Sequence, residues 1–231
     1  MITISVPLLF LQPALQFSLL PRQSIGWFTV IAQLMIVLVV FPFSVAVSAN
    51  SLGPEYDLVH AAIERTKHKI RYDGGYYLIK YPLGDVPDHI GVCTDVLIRS
   101  YRAIGIDLQR LVHEDMSDNF SAYPSTRIWG LKTTDRNIDH RRVPNLQVFF
   151  ARHGQVLEIS NNKKDYRAGD IVSWMTPGNL PHIGIVTDKI ASNGNPLIAH
   201  NIGAGPMLED MLFDFDISGH YRYLPVTLVA D

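Results

Sequence analysis

The sequence predicts an α+β domain in which helices come first and a small antiparallel sheet follows. Two observations carry that prediction. Between Pro54 and Gly154 apolar residues recur at helical spacing, and from Asp170 onward β-branched residues alternate with polar ones between turn signals. A third observation marks off the start: Arg22 is the only charged residue among the first fifty, and Ile25 to Val47 carries none. That stretch is long enough to cross a bilayer. Pro42 interrupts it, however, and Ala46-Val47-Ser48-Ala49 supplies the small residues that a signal peptidase prefers. Residues 1–49 are therefore expected to be a signal peptide cleaved near Ala49, with a retained membrane anchor as the alternative. Residues 50–231 are expected to form one exported domain, periplasmic or secreted, touching a membrane only through the N-terminal segment.

A chain of 231 residues with 47% hydrophobic content and a net charge of -2 is neither disordered nor basic enough to suit nucleic acid as a partner. It contains one cysteine, Cys93, which cannot form an internal disulfide. Keeping an unpaired thiol in an oxidising compartment favours a chemical role.

After Pro54, the positions Leu58, Val59, Ala62, Ile63, Thr66 and Ile70 predict a first amphipathic helix. From Tyr72 to Ile90 the chain is rich in Gly and Pro and includes Tyr76, Tyr77 and Tyr81, which predicts a long ordered loop. Val96, Leu97, Tyr101 and Ile104 form one face of a helix beginning at Cys93 and ended by Gly105, with Arg99 and Arg102 near its negative end. A long polar region to Arg142 follows. Its cluster Asp135, Arg136, Asp139, His140, Arg141 and Arg142 reads first as solvated surface; the alternative is an arginine gripping a substrate carboxylate. Pro144 then opens a short helix through Leu146, Phe149 and Phe150 that stops at Gly154. Strands are expected at 170–175, 182–188, 196–202 and about 220–226. Asn193-Gly194 marks the middle pair as a hairpin, and pairing Asp188 with Pro196 would make His182 and His200 diagonal neighbours on one face.

The candidate chemistry follows from three residues. Unpaired N–H groups in the first turn of a helix favour thiolate at Cys93, although most free cysteines are simply small buried hydrophobes. His182, at the start of a strand, is the candidate base that takes the thiol proton and returns it to a leaving amine. His200 is the candidate group that orients the His182 ring. The histidines at 60, 68, 89, 113, 153 and 220 are expected only to pack.

These segments also resemble a family. The Cys93 region followed by Ala103-Ile104-Gly105-Ile106-Asp107-Leu108, then Gly169-Asp170-Ile171-Val172-Ser173-Trp174 and His182-Ile183-Gly184-Ile185-Val186, is similar to NlpC/p60 cysteine hydrolases. That resemblance implies a papain-like fold, with the nucleophile helix packed on a small antiparallel sheet, and Leu197-Ile198-Ala199-His200 matches the strand bearing the third catalytic position. Asp85-Val86-Pro87, Val92-Cys93-Thr94-Asp95, Asn137 to Asn145 and His200-Asn201-Ile202-Gly203-Ala204-Gly205-Pro206 resemble, more closely, the bacterial domain of unknown function 1287. The chain departs from the NlpC/p60 pattern by placing Val92 and Thr94 around the cysteine where Asp and Ser are usual. The upstream tyrosine of that pattern is matched by either Tyr72 or Tyr81. Cysteine preceding histidine argues against the permuted lipid-acyltransferase branch.

The resemblance implies an exported cysteine peptidase or amidase with no cofactor, acting on cell-wall (peptidoglycan) peptides or another amide. Tyr72, Tyr81, Asp139, His140, Arg141 and Arg142 are weaker candidates for substrate binding. Two other classes stay open: an inactive cell-wall or protein-binding module on the same fold, and a zinc hydrolase with Cys93, His182 and His200 as ligands.

Overall fold

The computed structural model describes residues 53–225, so the expected leader over 1–49 lies outside the described residues. Helix α1 (Pro54–Arg65) starts on Pro54, whose missing N–H is harmless in a first turn, and buries Leu58, Val59 and Ala62. It is shorter than the apolar repeat predicts, because Thr66 already caps it and Ile70 lies beyond. The chain then pairs β1 (Arg71–Tyr72) in parallel with β2 (Ile90–Gly91). This two-stranded ladder closes the neck of the expected loop and brings Tyr72 beside the residues that precede Cys93. Next comes α2 (Cys93–Ala103), ended at Ile104 and Gly105, the latter with φ of +84°. That left-handed backbone is where a glycine is needed.

The region expected to be merely polar contains two helices, α3 (Leu108–Asp118) and α4 (Ser125–Trp129), and 3-10 turns at Phe120–Ala122 and Asp139–Arg141. The signal for α3 was present: Asp107 caps it by accepting the Gln109 backbone N–H at 3.1 Å, and Leu108, Val112 and Met116 are buried at a spacing of four. Helix α5 (Val143–His153) has Pro144 in its first turn and stops at Gly154, as the sequence predicts.

The second half is an antiparallel sheet of β3 (Gln155–Val156), β4 (Ile171–Thr176), β5 (Leu180–Ile190), β6 (Pro196–His200), β7 (Met207–Glu209) and β8 (Asp216–Arg222), in the order β3-β8-β4-β5-β6-β7. The four expected strands are present, the last shifted toward the N-terminus; the short edges β3 and β7 were not foreseen. The fold is α+β. Helices cover one face with a core that includes Leu97, Tyr101, Leu146, Phe150, Ile183 and Ile185. A smaller cluster around Val172, Trp174, Val186 and Ile198 covers the other face. Burial on both faces explains the unbroken apolar run in the middle of β5.

The hairpin register is as expected in its body, where Ile185 pairs with Ala199 and Val186 with Ile198. It is not as expected at its end, because Pro196 pairs with Ile190 rather than Asp188, with an irregularity between Val186 and Ile190. Pro196 has no N–H to continue the ladder, and the Thr187 hydroxyl bonds the Leu197 carbonyl at 2.7 Å within the irregular stretch.

Gly184 lies between His182 and the paired body of the hairpin. A methyl group there would meet Ile198 Cγ2 at 2.6 Å and both Ala199 O and His200 Cβ at 3.1 Å. Gly184→Ala is expected to push β6 off β5 and to cost about 1–3 kcal/mol, read as a lower urea midpoint. An unchanged midpoint would show that β6 is not held against β5 as described.

Candidate active site

The start of α2 is fixed from three sides. Val92, the N-cap, has no side-chain acceptor, and its N–H is instead bonded by the Asp95 carboxylate at 2.7 Å. This is one half of a capping box, delivered by the residue three positions into the helix. The Thr94 hydroxyl donates to the Arg141 carbonyl at 3.1 Å, and the Asn201 amide donates to the Gly91 carbonyl at 3.3 Å. The chain on both sides of Cys93 is thereby tied to the 139–141 turn and to the end of β6.

The Cys93 thiol faces the start of β5, where the backbone N–H groups of Ile183, Thr94 and Cys93 itself lie close enough to favour its charged form. His182 is the adjoining residue. Its ring is tilted over Trp174 at 5.9 Å between centroids, and its Nε2 lies 2.9 Å from Nδ1 of His200, with the two imidazoles nearly perpendicular. His182 and His200 therefore meet each other where β5 and β6 pair, and Cys93 faces Ile183, the residue next to His182 on β5. Among the described residues no group of three or more His, Cys, Asp or Glu is arranged to hold a metal ion. The geometry itself disfavours the zinc alternative, since the histidines turn facing nitrogens toward each other instead of toward a shared centre.

The electrostatics differ from the sequence expectation. Cys93 is 5% exposed. Burial pushes it up to about 12; the three N–H groups pull the other way without prevailing, and the Asp95 charge adds to the rise. Desolvation thus outweighs the helix terminus, and the resting group is a neutral thiol. Burial, reinforced by His200, likewise holds His182 down at about 3. Burial also lowers His200, with Glu209 opposing. The Glu209 carboxylate, from β7, has an oxygen 2.9 Å from His200 Nε2, but out of line with the ring N–H direction. It acts there as a nearby charge.

The weaker candidates separate cleanly. The Tyr72 hydroxyl is raised by burial and then by the Cys93 and Asp95 charges, with Arg141 opposing, and its backbone pairs with Gly91 just before the nucleophile helix. Tyr81 is elsewhere, edge-on to His113 at 5.0 Å and under the Arg136 guanidinium at 5.7 Å. Asp139, His140 and Arg141 are buried rather than solvated. Arg141 grips Asp95 through two bonds of 2.9 Å and donates to the carbonyls of Gly75 at 3.0 Å and Asp73 at 3.2 Å. It is a clamp between α2 and the loop after Tyr72, engaged with protein acceptors and not with a free carboxylate site. Removing one partner of such a buried pair typically costs about 3–5 kcal/mol. Arg142 pairs with Asp139 at 3.1 Å and lies over Trp129 at 4.2 Å, so it too is engaged.

Sequence reasoning missed Asp95, Asn201 and Glu209 as parts of this site. Only Asp95 left a local sign, its place three residues after the N-cap.

A family model described as "Domain of unknown function (DUF1287)" matches residues 59–223. A relative from Escherichia coli (strain K12), "Uncharacterized protein YijF", is 48% identical over 182 residues, covering 79% of this chain and 86% of the relative. Among solved structures, NlpC1 from Trichomonas vaginalis aligns with a TM-score of 0.41 and 16% identity, over 74% of this chain and 45% of that one. NlpC2 from the same organism aligns with a TM-score of 0.37 and 16% identity, over 73% of this chain and 47% of that one. The chain spans less than half the length of both.

Burial of neutral histidines has a consequence for stability. His140 is held down at about 3 by burial and by Arg141 and Arg102, and His182 also at about 3. Below the ordinary histidine value of about 6.5 the unfolded chain takes up protons that the folded one refuses, so stability falls as pH falls. The urea midpoint is expected to drop already between about pH 6.5 and 5, above the carboxylate range. A flat midpoint across that window would contradict the neutral burial of these rings.

Proposed function

The chain belongs to the DUF1287 family, and on that premise we propose that it is an exported cysteine hydrolase that cleaves an amide bond in bacterial cell-wall peptides. The observation that carries the reading is a thiol at the first residue of α2 that faces the Ile183 N–H, with the preceding residue, His182, holding its Nε2 2.9 Å from a second imidazole. In this reading Cys93 Sγ attacks the amide carbonyl while His182 Nδ1 takes the thiol proton. The C–N bond breaks as His182 returns that proton to the leaving amine, and water then hydrolyses the thioester. Backbone N–H groups at the helix start would serve the oxyanion. A neutral resting pair fits this general-base course. Export and the cell-wall substrate rest on the charge-free N-terminal segment and on the motifs around Cys93, His182 and His200. Arg141 and Arg142 are engaged with protein partners and Arg136 lies over Tyr81, so no arginine of the cluster is assigned a peptide carboxylate.

The burial of Cys93 favours a second reading, an inactive module that binds wall peptides without cutting them. Incubation with purified peptidoglycan separates the two. The hydrolase reading expects new free amino groups in the digest, lost completely in Cys93→Ser and reduced about a hundredfold or more in His182→Ala. Binding to peptidoglycan with no release by the unmodified protein would establish the module instead.

A further inference from the structure

Two neutral imidazoles that share one hydrogen bond have two arrangements, and only one of them leaves His182 able to act as a base. In the first, His182 Nε2–H donates to His200 Nδ1. His182 Nδ1 then keeps a free lone pair, and the proton of His200 sits on Nε2. In the second, His200 Nδ1–H donates to His182 Nε2. His182 Nδ1 then carries the proton and cannot accept one, and His200 Nε2 is bare. The 2.9 Å separation between His182 Nε2 and His200 Nδ1 fits both.

What distinguishes them is the group beyond His200. Glu209 Oε2 lies 2.9 Å from His200 Nε2, and that nitrogen is buried with no aligned hydrogen-bond partner. An ionised carboxylate only accepts hydrogen bonds. Facing a bare Nε2 it would set a negative charge against a lone pair, and facing Nε2–H it meets a partial positive charge. We propose that Glu209 is a positioning residue that selects the Nε2–H tautomer of His200 and, through it, the tautomer of His182 whose Nδ1 is free. The out-of-line placement of the carboxylate reduces the selection without abolishing it, because a charge 2.9 Å away still separates a protonated from a bare nitrogen. Glu209 does not reach the reacting atoms; its effect passes through two rings. The register fixes this line, since His200 pairs with Met207 and Ile198 with Glu209 across β6 and β7. His200 and Glu209 are thus diagonal neighbours.

The inference rests on the cysteine-hydrolase reading for its purpose, but the tautomers can be read without any substrate. The experiment is nitrogen-15 NMR of the histidine rings in the intact protein, compared with Glu209→Gln and Glu209→Ala. Glu209→Gln keeps the shape and can donate from its amide to a bare nitrogen, so it removes the selection without removing the side chain. The expected result is His200 protonated at Nε2 in the unmodified protein and mixed tautomers at both rings in both variants. The release of amino groups from peptidoglycan should fall about tenfold or more in each, the scale seen when the partner that fixes the tautomer of a metal-ligating histidine is removed. His200 protonated at Nδ1 in the unmodified protein, or tautomers unchanged in Glu209→Gln, would overturn the proposal. Should the ring spectra behave as expected while peptidoglycan is never cut, the positioning role stands and the hydrolase reading alone fails.

Discussion

The seating of the first turn of α2 against the start of β5 is the constraint on which the rest of the site depends. The contact is made by backbone: the Ile183 N–H meets the Cys93 sulfur, and His182 is the next residue along the strand. A helix from the first half of the chain and a strand from the second are brought together there, so neither carries the site alone. The supporting contacts all serve this seating. Asp95 ties the N-cap N–H, Arg141 ties Asp95 to the loop after Tyr72, and Asn201 ties the end of β6 to Gly91. The buried Arg141 to Asp95 pair is a costly device by itself, because both charges lose water. Its four hydrogen bonds to Asp95, Gly75 and Asp73 offset that cost and give the nucleophile loop one geometry.

Burial and helix polarity act against each other at the thiol, and their balance decides the resting state. Three N–H groups favour the thiolate, but the sulfur of a residue only 5% exposed loses more by leaving water than they return. The imidazoles are governed by the same loss of water and rest neutral. Proton position within the neutral His182–His200 pair beside the Glu209 charge therefore matters more than the net charge of the rings does.

Much of the fold was legible because its signals are local. Gly105 after an apolar face ended α2, Pro144 and Gly154 bounded α5, and Asn193-Gly194 placed the hairpin closely enough that His182 and His200 were expected as neighbours. What was not legible depends on distant partners. Helix α3 hid behind polar residues such as Gln109, which is fully buried because its amide reaches the Lys80 and Arg136 carbonyls. The charges at Asp139 and Arg141 read as solvated because the carboxylate that buries Arg141 is at Asp95, far away in sequence. Strand β7 has three residues, too few to display alternation, so Glu209 gave no sign of facing His200. The state of the thiol was misjudged for a related reason: a helix start can be read from sequence, whereas desolvation requires the whole surrounding core.

The most direct test of the account is the rate of Cys93 alkylation against pH in the intact protein, compared with His182→Ala. The account predicts a wild-type curve that rises through a midpoint above the roughly 8.5 of a free cysteine, with slower reaction at neutral pH once the imidazole is removed. Equal rates in the two proteins across the range would mean that His182 and the thiol are not coupled, and the seating of α2 on β5 would not make a reactive pair.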